Sequence, residues 1–459
     1  MNKTVRTGSI FIKSPKVVIT CDELDRVLDN ANIYIEDGVI KDISENVYPA
    51  ENVIDAKDMI AYPGLINTHH HLYQIFTRNL PAVQNMELFP WLEYLYNIWK
   101  NIDEDIIRYS SLTGMSELLK SGCTTCFDHH YVFPNNKSDN FIDIQFEVAE
   151  ELGIRMHSSR GSMSLSKKDG GLPPDSVVQT IDKILYGSER LINKYHNPDM
   201  YSMRQVVLAP CSPFSVTQEL MKETAKLARK YKVRLHTHLC ETIDEENFTI
   251  SRFGMRPLKY MESLDWLGSD VWFAHGIHFN DEELNLLAKT KTGVAHCPIS
   301  NMKLSSGIAR ISEMKKKGIP IGLAVDGSAS NDGSNLIEEL RIGFLLQRLK
   351  YSNESITGYD MLKIATNGSS KILGIEKDLG SLKVNKAADL FMIDSNRLEL
   401  VGAQYDYKSM LGTVGVKGAV DYTIVNGKII VEDGKLVNID EKELSKKSNI
   451  ILEKLNSLK

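Results

Sequence analysis

The sequence contains no uncharged apolar run near the roughly 18 residues that a membrane-spanning helix requires. Its first stretch, MNKTVRTGSIFIKSPKVVIT, also lacks the apolar centre of a secretory signal peptide. Six cysteines are scattered over 459 residues, which is too sparse for a disulfide framework. These absences predict a cytoplasmic protein with no membrane partner.

Basic residues form no cluster, and the net charge is small. The chain has 54 Lys and Arg against 60 Asp and Glu, which gives a formal charge of −6. Nucleic-acid surfaces concentrate Lys and Arg, so no nucleic-acid partner is expected. Cys123 and Cys126 form a CxxC without a second CxxC, and the two threonines between them favour a strand over a redox turn.

One unit repeats through the middle of the chain: a short apolar run ends in polar or metal-binding residues, and a helical stretch follows. The runs are MIAYPGLINTHHH, CTTCFDHH, IRMHSSRG, QVVLAPCS, VRLHTHLCE, VWFAHGIH, GVAHCP and IPIGLAVDG. Asp103, Thr217 and Asn280 stand between them where helix N-caps are expected. Strands and helices that alternate over about 270 residues are typical of a (β/α)8 TIM-like barrel, which carries its chemistry at the C-terminal ends of the strands.

The two ends of the chain have a different pattern. SIFIKSPKVVIT, NIYIEDGVIKDI and VDYTIVNGKIIVEDGKLV are strand-like runs with Asp-Gly and Asn-Gly turns. We therefore predict a small composite β-sandwich domain from residues 1–62 and 375–440, and a barrel from residues 63–374. Residues 441–459 are predicted to form a C-terminal helix.

Histidines gather at the ends of the predicted strands. Alternate residues of an extended strand face the same side, so in NTHHHLYQ the side chains of His69 and His71 converge while His70 points away. In HTHLCE, His238 lies at the strand end and His236 lies deeper in the barrel. This pattern predicts a metal site at the barrel mouth.

Acidic residues stand beside these histidines. Glu241 follows His238 by three residues, VWFAHGIH supplies His275, and VDG ends the last strand with Asp326. Three imidazoles and one carboxylate with an open coordination position form a catalytic rather than a structural metal site. A bound divalent metal lowers the pKa of water to about 7, and a nearby carboxylate then moves protons to a nitrogen leaving group.

Three further strand-end histidines have two interpretations. His129, His130 and His296 either contact a substrate or bond to backbone carbonyl groups, and the sequence does not decide between these roles.

Five stretches together resemble the amidohydrolase superfamily, specifically its mononuclear-metal deaminases and aminohydrolases: PGLINTHHHLYQ, HTHLCET, FAHGIH, AHCPISNMKL and VDGSASNDGSN. The resemblance implies four ligands for one zinc ion, or for iron in some relatives: His69, His71, His238 and Asp326. It implies that Glu241 moves a proton from the water to a ring nitrogen and that His275 orients or polarises the water. Asp326 would pass a proton to the departing ammonia. The binuclear members use a lysine at strand four, and LAPCSPF contains none, which favours a single metal.

Other stretches resemble the 8-oxoguanine deaminases and, less distinctively, the hydroxyatrazine aminohydrolases: LPAVQNMELFPWL, SGCTTCFDHHY, SRGSMSLSKKDGGLPPD and LAPCSPFSVT. The implied reaction is deamination of an amino-substituted oxopurine, 8-oxoguanine to urate. A pterin, guanine or a hydroxy-s-triazine is the alternative substrate. A metal-stabilised scaffold without catalysis is a further alternative, although this chain keeps every ligand. Homo-oligomers are common in the family, and no stretch here specifies one.

Four residues are candidate substrate contacts. The resemblance to guanine deaminases places Gln74 on the purine edge, where an amide both donates and accepts. Cys211 stands where those enzymes have an arginine, which is evidence against plain guanine. Arg160, at the end of the third strand, is predicted to meet either a substrate oxygen or an internal carboxylate.

The fourth contact, Trp91, lies in residues 72–100, which we expect to form a lid over the barrel mouth. Phe89, Trp91 and Tyr96 would stack on a flat heterocycle or pack the lid itself.

Overall fold

The computed structural model of the protein describes residues 7–457. Its strands are β1 (Ile10–Lys13), β2 (Val17–Ile19), β3 (Val27–Leu28), β4 (Asn32–Glu36), β5 (Val39–Ser44), β6 (Asn52–Asp55), β7 (Met59–Pro63), β8 (Leu65–Asn67), β9 (His70–His71), β10 (Cys123–Asp128), β11 (Arg155–Ser162), β12 (Arg204–Pro210), β13 (Arg234–Leu239), β14 (Val271–His275), β15 (Gly293–His296), β16 (Ile321–Leu323), β17 (Asp326–Gly327), β18 (Leu390–Asp394), β19 (Tyr422–Val425), β20 (Lys428–Glu432) and β21 (Lys435–Leu436).

Its α-helices are α1 (Leu88–Trp99), α2 (Glu104–Lys120), α3 (Phe141–Leu152), α4 (Ile181–Tyr195), α5 (Gln218–Tyr231), α6 (Ile243–Phe253), α7 (Pro257–Glu262), α8 (Asp281–Thr290), α9 (Pro298–Lys303), α10 (Ile311–Lys316), α11 (Ser328–Asn331), α12 (Leu336–Tyr351), α13 (Gly358–Lys363), α14 (Ser369–Leu373), α15 (Met410–Thr413) and α16 (Glu441–Asn456). Across the described residues, none of the helices combines the length and the apolar character that crossing a bilayer would need.

Eight parallel strands close into a barrel in the order β8, β10, β11, β12, β13, β14, β15, β16. The barrel closes where Leu323 of β16 pairs with Asn67 of β8. Each of the eight predicted runs supplies one of these strands, so the predicted (β/α)8 fold is confirmed. The helix caps follow as well, because Asp103, Thr217 and Asn280 each accept a hydrogen bond from a backbone N–H in the first turn of α2, α5 and α8.

The first predicted run is not one strand. Its first part, β7, belongs to a seven-stranded sheet, and only β8 enters the barrel. The change occurs at Gly64, where a Cβ atom would lie 2.3 Å from the Thr124 hydroxyl oxygen, so only glycine allows this close approach. Continuous apolar character through MIAYPGLIN hides the break.

Strands from both ends of the chain build the second part of the fold. The seven-stranded sheet has the order β21, β20, β19, β18, β7, β2, β3, and a four-stranded sheet has the order β5, β4, β1, β6. Aliphatic side chains of both sheets, including Ile10, Ile35, Leu390 and Ile424, share one buried core. This is the predicted β-sandwich of both termini, whereas the exact domain boundaries stay a prediction.

The glycine turns of this sandwich are as predicted. Both residues of Asp37-Gly38, of Asn426-Gly427 and of Asp433-Gly434 have positive φ, as tight two-residue hairpins require. A buried ion pair joins the sandwich to the bottom of the barrel, because Arg155 Nη2 lies 3.0 Å from Asp389 Oδ1. The barrel is thereby fixed with its strand ends pointing away from the sandwich.

Candidate metal centre and active site

A two-stranded pairing at the barrel mouth creates the centre of the site. β9 and β17 pair in parallel, with Asp326 opposite His70, and Asp326 N donates to His69 O at 3.1 Å. As a result, Asp326 Oδ1 lies 3.3 Å from His69 Nε2 and 3.4 Å from His71 Nε2. His70 points the other way and contacts Ser334 Oγ at 3.0 Å. The predicted alternation of the three histidines is present in the structure.

The third imidazole comes from β13, and its contacts show which nitrogens are free. His238 Nδ1 donates to Cys211 O at 2.6 Å, and His71 Nδ1 donates to His129 O at 2.6 Å. In neutral rings the Nε2 atoms of both histidines therefore carry lone pairs, yet they face each other at 3.1 Å. Burial lowers the pKa of His71 to about 3, so its ring stays neutral. Two facing lone pairs need a cation between them.

A chain of contacts fixes the remaining imidazole in the same way. His236 Nδ1 donates to Trp272 O at 3.0 Å, so its bare Nε2 accepts from His69 Nδ1 at 2.8 Å. His69 Nε2 then also carries a lone pair, and this atom is buried without a hydrogen-bond partner. Three neutral imidazole nitrogens and one carboxylate fit a divalent cation such as Zn²⁺.

This chain of hydrogen bonds predicts a measurable role for His236. Substitution by phenylalanine keeps a ring but removes the acceptor for His69, so we expect zinc affinity to fall by about 10- to 100-fold. Competition with a chromogenic chelator measures the affinity. His157→Phe is the matched control, because His157 is equally buried and neither of its ring nitrogens has a partner. Equal zinc affinities in the two variants would contradict this role.

The three histidines with open roles lie around this group. His129 is within ligand distance of the other imidazoles: its Nε2 donates to Ala209 O at 2.8 Å, which leaves Nδ1 a buried lone pair without a partner, and its ring stacks on His238. His130 Nε2 donates to Val132 O at 2.8 Å. His296 is buried without a hydrogen-bond partner on either ring nitrogen. None of the three lines the active-site cavity.

Glu241 and His275 lie beside Asp326. His275 Nε2 is 3.3 Å from Glu241 Oε2 and 4.0 Å from Asp326 Oδ2. Glu245 fixes the loop that carries Glu241, because its carboxylate accepts from the backbone N–H groups of Cys240 and Glu241, both at 3.0 Å. His275 and Asp326 have φ of 75° and 64°, a left-handed conformation that is uncommon outside glycine and often marks functional sites.

The environment separates the two carboxyl groups. Burial, together with the charges of Asp326 and Glu245, raises the pKa of Glu241 well above its usual value. Asp326, in contrast, accepts hydrogen bonds from Ser300 Oγ and from Gly327 N, both at 2.6 Å, and these favour its ionised form. Such a pair suits one group that carries a proton and one that stays ionised.

A small cavity lies directly on these groups. Leu88, Trp91 and Leu92 of α1 form one wall, as expected for a lid. Other side chains that line it are Gln74, Tyr131, Cys211, Phe214, Leu304 and Ser330. Most of the lining is apolar with a few polar groups, which is typical of a site for a small flat ligand.

The predicted substrate contacts divide into two groups. Gln74, Trp91 and Cys211 line the cavity, and Gln74 Oε1 accepts from Ala329 N at 3.3 Å. Phe89 instead packs on Phe214, with ring centroids 4.8 Å apart, so it is packing for the lid.

Arg160, the fourth predicted substrate contact, binds other groups of the protein. Its guanidinium donates to Gln179 Oε1 at 2.7 Å and lies 3.9 Å from the centroid of the Phe133 ring. The residue is buried and does not line the cavity. Its partners are the Gln179 amide, the Gly161 carbonyl and the Phe133 ring, and the carboxylate of Asp139 attracts it electrostatically, so the substrate contact stays a prediction.

Ser300 and Asn301 are site residues for which the sequence predicted no role. Ser300 Oγ donates to Asp326 Oδ2 at 2.6 Å, and Asn301 Nδ2 lies 3.0 Å from His275 Nδ1. Both belong to the stretch AHCPISNMKL, and the presence of this motif could have indicated that they belong to the site.

Comparison with known proteins agrees with this geometry. A family model described as the amidohydrolase family matches residues 60–430. The chain is 44% identical over 434 residues to an 8-oxoguanine deaminase of Pseudomonas aeruginosa, covering 94% of this chain and 95% of that protein. It is 39% identical over 445 residues to a hydroxydechloroatrazine ethylaminohydrolase of Pseudomonas sp. strain ADP, covering 94% and 92%.

A solved structure shows the same fold with a metal. Atrazine chlorohydrolase from Arthrobacter aurescens, complexed with zinc, superimposes with a TM-score of 0.93 and 32% sequence identity, covering 96% of this chain and 100% of that one. Fold, ligand set and sequence agree: this chain belongs to the amidohydrolase family.

Proposed function

We propose that the protein is a metal-dependent hydrolytic deaminase that converts 8-oxoguanine to urate and ammonia. The observation that carries the proposal is the 44% identity to an 8-oxoguanine deaminase along 94% of this chain. The convergence of Glu241, His275 and Asp326 on a small cavity supports it, because deamination of a ring needs a proton carrier beside the attacked carbon.

The reaction adds water to the amine-bearing carbon of the ring and breaks the carbon–nitrogen bond, which leaves a carbonyl and ammonia. His69, His71, His238 and Asp326 would hold a divalent cation, and such a cation, when bound, would lower the pKa of water to about 7 and so make hydroxide available at neutral pH. The ligand set combines three nitrogens with one oxygen, which suits zinc and also permits iron.

The chain's own groups move the protons. Glu241 takes a proton from the attacking water and passes it to the ring nitrogen next to the attacked carbon, and its raised pKa suits it to hold that proton. His275, whose Nε2 faces this region, orients the water with a hydrogen bond. Asp326 takes the remaining hydroxyl proton of the tetrahedral adduct and passes it to the departing amine, so that ammonia leaves as the carbon–oxygen double bond forms.

A second substrate class has an observation in its favour. The relative at 39% identity is named for removing ethylamine from a hydroxytriazine. Leu88, Leu92 and Leu304 line the cavity and would accept an N-alkyl group by apolar contact. A hydroxy-s-triazine is therefore the first alternative substrate, followed by pterins and guanine.

A substrate panel tests the proposal. Steady-state rates on 8-oxoguanine, guanine, isoxanthopterin and hydroxyatrazine are followed through ammonia, alkylamine and ring absorbance. We expect kcat/KM on 8-oxoguanine to exceed the others by about tenfold or more, a difference of about 1.4 kcal/mol in transition-state binding. Hydroxyatrazine as the preferred substrate would establish the alternative. Rates equal to those of a Glu241→Gln variant on every compound would indicate a scaffold without catalysis.

Two other expectations stay predictions. A cytoplasmic location agrees with six buried free thiols, and subcellular fractionation tests it. Homo-oligomer formation is tested by light scattering during gel filtration.

A further inference from the structure

One segment, residues 298–306, lies behind the acid–base groups of the site. It consists of α9 and the turn that follows, and its residues Ser300, Asn301 and Ser306 are all buried. Each of these three side chains contacts a different reactive group, while Leu304 of the same segment lines the cavity. One short stretch of chain thus reaches every proton-carrying residue of the proposed reaction.

Ser300 holds one oxygen of the Asp326 carboxylate, while the backbone N–H of Gly327 donates to the other oxygen, Oδ1, at 2.6 Å. The Ser300 hydroxyl donates to Asp326 Oδ2 at 2.6 Å, and Ser330 Oγ lies 3.4 Å from the same oxygen. The other oxygen, Oδ1, is left on the side of His69 and His71. Ser300 therefore binds the oxygen that faces His275, and the other oxygen faces His69 and His71.

Asn301 determines where His275 carries its proton. The Asn301 amide nitrogen lies 3.0 Å from His275 Nδ1, and an amide NH2 group can only donate. His275 Nδ1 must then be the acceptor, so the neutral ring carries its proton on Nε2. Nε2 faces Glu241 Oε2 at 3.3 Å, where a donor is favourable.

The third contact is longer and acts on the remaining group. Ser306 Oγ donates to Glu241 Oε1 at 3.4 Å. The segment itself is anchored outside the cavity, because Ile299 N donates to Glu339 Oε2 at 3.2 Å and Lys303 Nζ donates to Ala329 O at 3.1 Å. A rigidly held segment can position its partners to within a fraction of an ångström, as catalysis requires.

We propose that Ser300 and Asn301 are positioning residues: Asn301 holds His275 as an Nε2–H donor toward the attacking water, and Ser300 fixes the orientation of the Asp326 carboxylate. The kinetic part of this inference rests on the proposed deaminase function. Neither residue lines the cavity, so both act through their partners.

Asn301→Asp is the decisive variant, because a carboxylate of the same shape accepts where the amide donates and thereby moves the His275 proton to Nδ1. We expect kcat to fall by about 10²- to 10⁴-fold, the range seen when a catalytic histidine is held in the wrong tautomer or loses its proton-transfer role. KM and zinc content should stay within about twofold of wild type. Asn32→Asp is the control, because Asn32 is buried and hydrogen-bonded in the sandwich, far from the cavity.

Ser300→Ala tests the second part. Loss of the hydroxyl removes the short hydrogen bond to Asp326 Oδ2 and leaves that oxygen only the longer contact with Ser330, so zinc affinity by chelator competition should weaken by about 10- to 100-fold. Ser312→Ala is the matched control, since Ser312 of α10 is also a buried serine, and its hydroxyl donates to Gln347 Oε1 of α12. Thermal unfolding of both variants separates this effect from a general loss of stability.

A spectroscopic readout tests the inference without activity. Nitrogen-15 NMR of histidine-labelled, zinc-loaded protein distinguishes a protonated from a bare ring nitrogen, and the His275 signals are assigned by their loss in His275→Gln. We expect a protonated Nε2 in wild type and a protonated Nδ1 in Asn301→Asp. A protonated Nδ1 in wild type, or an Asn301→Asp enzyme that keeps more than a third of wild-type kcat, would overturn the role of Asn301. Unchanged zinc affinity in Ser300→Ala would overturn that of Ser300. If wild type is inert on every heterocycle of the panel, the proposed function fails, while the NMR and zinc measurements still decide this inference.

Discussion

Replacing Glu241 with glutamine is expected to lower kcat by about 10³- to 10⁴-fold, at the upper end of what general acid–base catalysis contributes. Glutamine keeps the size of the side chain and the hydrogen bond with Ser306 but cannot carry a proton between the water and the ring. Because Glu241 is not among the four proposed ligands, the zinc content should stay unchanged. Stopped assays of ammonia release and metal analysis of the same sample measure both quantities.

A buried structural glutamate provides the comparison. Glu283 is paired with Arg256 and caps α8, so Glu283→Gln should lower stability and leave kcat near the wild-type value. Should Glu241→Gln keep the full rate with its metal in place, the proton-carrier role is wrong. If instead the variant loses zinc, Glu241 contributes to the metal site and the ligand assignment changes.

Removing the metal is expected to have the largest effect. Dialysis against a chelator should reduce activity by more than about 10⁴-fold, because the pKa of water returns from about 7 to its bulk value near 15.7. Titration with zinc should restore activity in proportion to bound metal, up to one ion per chain. Iron under anaerobic conditions tests the alternative metal, and the metal that restores the higher rate is the one the site uses best.

The apo protein should also be less stable. Without a cation, His71 Nε2 and His238 Nε2 face each other as lone pairs at 3.1 Å, an arrangement that repels. Zinc that binds only the folded state adds about 4 kcal/mol at a thousandfold excess over its Kd, which calorimetry resolves as a rise in Tm. Full activity after complete removal of metal would contradict the whole assignment.

The fold could be predicted from local patterns because its strands and turns are locally encoded. Eight apolar runs with intervening capped helices specify the barrel, and turns such as Asn426-Gly427 specify hairpins of the sandwich. The division of MIAYPGLINTHHH between two sheets was missed, since β7 and β8 are equally apolar. What separates them is the contact between Gly64 and Thr124, sixty residues apart in the chain.

The convergence of the proposed metal ligands was predictable for a similar reason. His69 and His71 alternate within one short strand, and the ends of parallel barrel strands must meet at one rim. The partners of these groups were not predictable, because each depends on a distant side chain reaching a particular atom. Asn301 reaches His275 across 26 residues of sequence, and Arg160 turns away from the rim toward Phe133. Residue type alone does not give such directions.

The roof of the cavity has a kinetic consequence. Every side chain that lines the cavity is at most 9% exposed, and α1 is held down by Phe89 on Phe214 and by Lys167 with Glu93 at 2.6 Å. We therefore expect a substrate to enter and a product to leave only when α1 swings outward, a movement that solvent viscosity slows. Once the chemistry is fast, the frequency of this swing sets the turnover number, and kcat then falls as glycerol or sucrose thickens the medium.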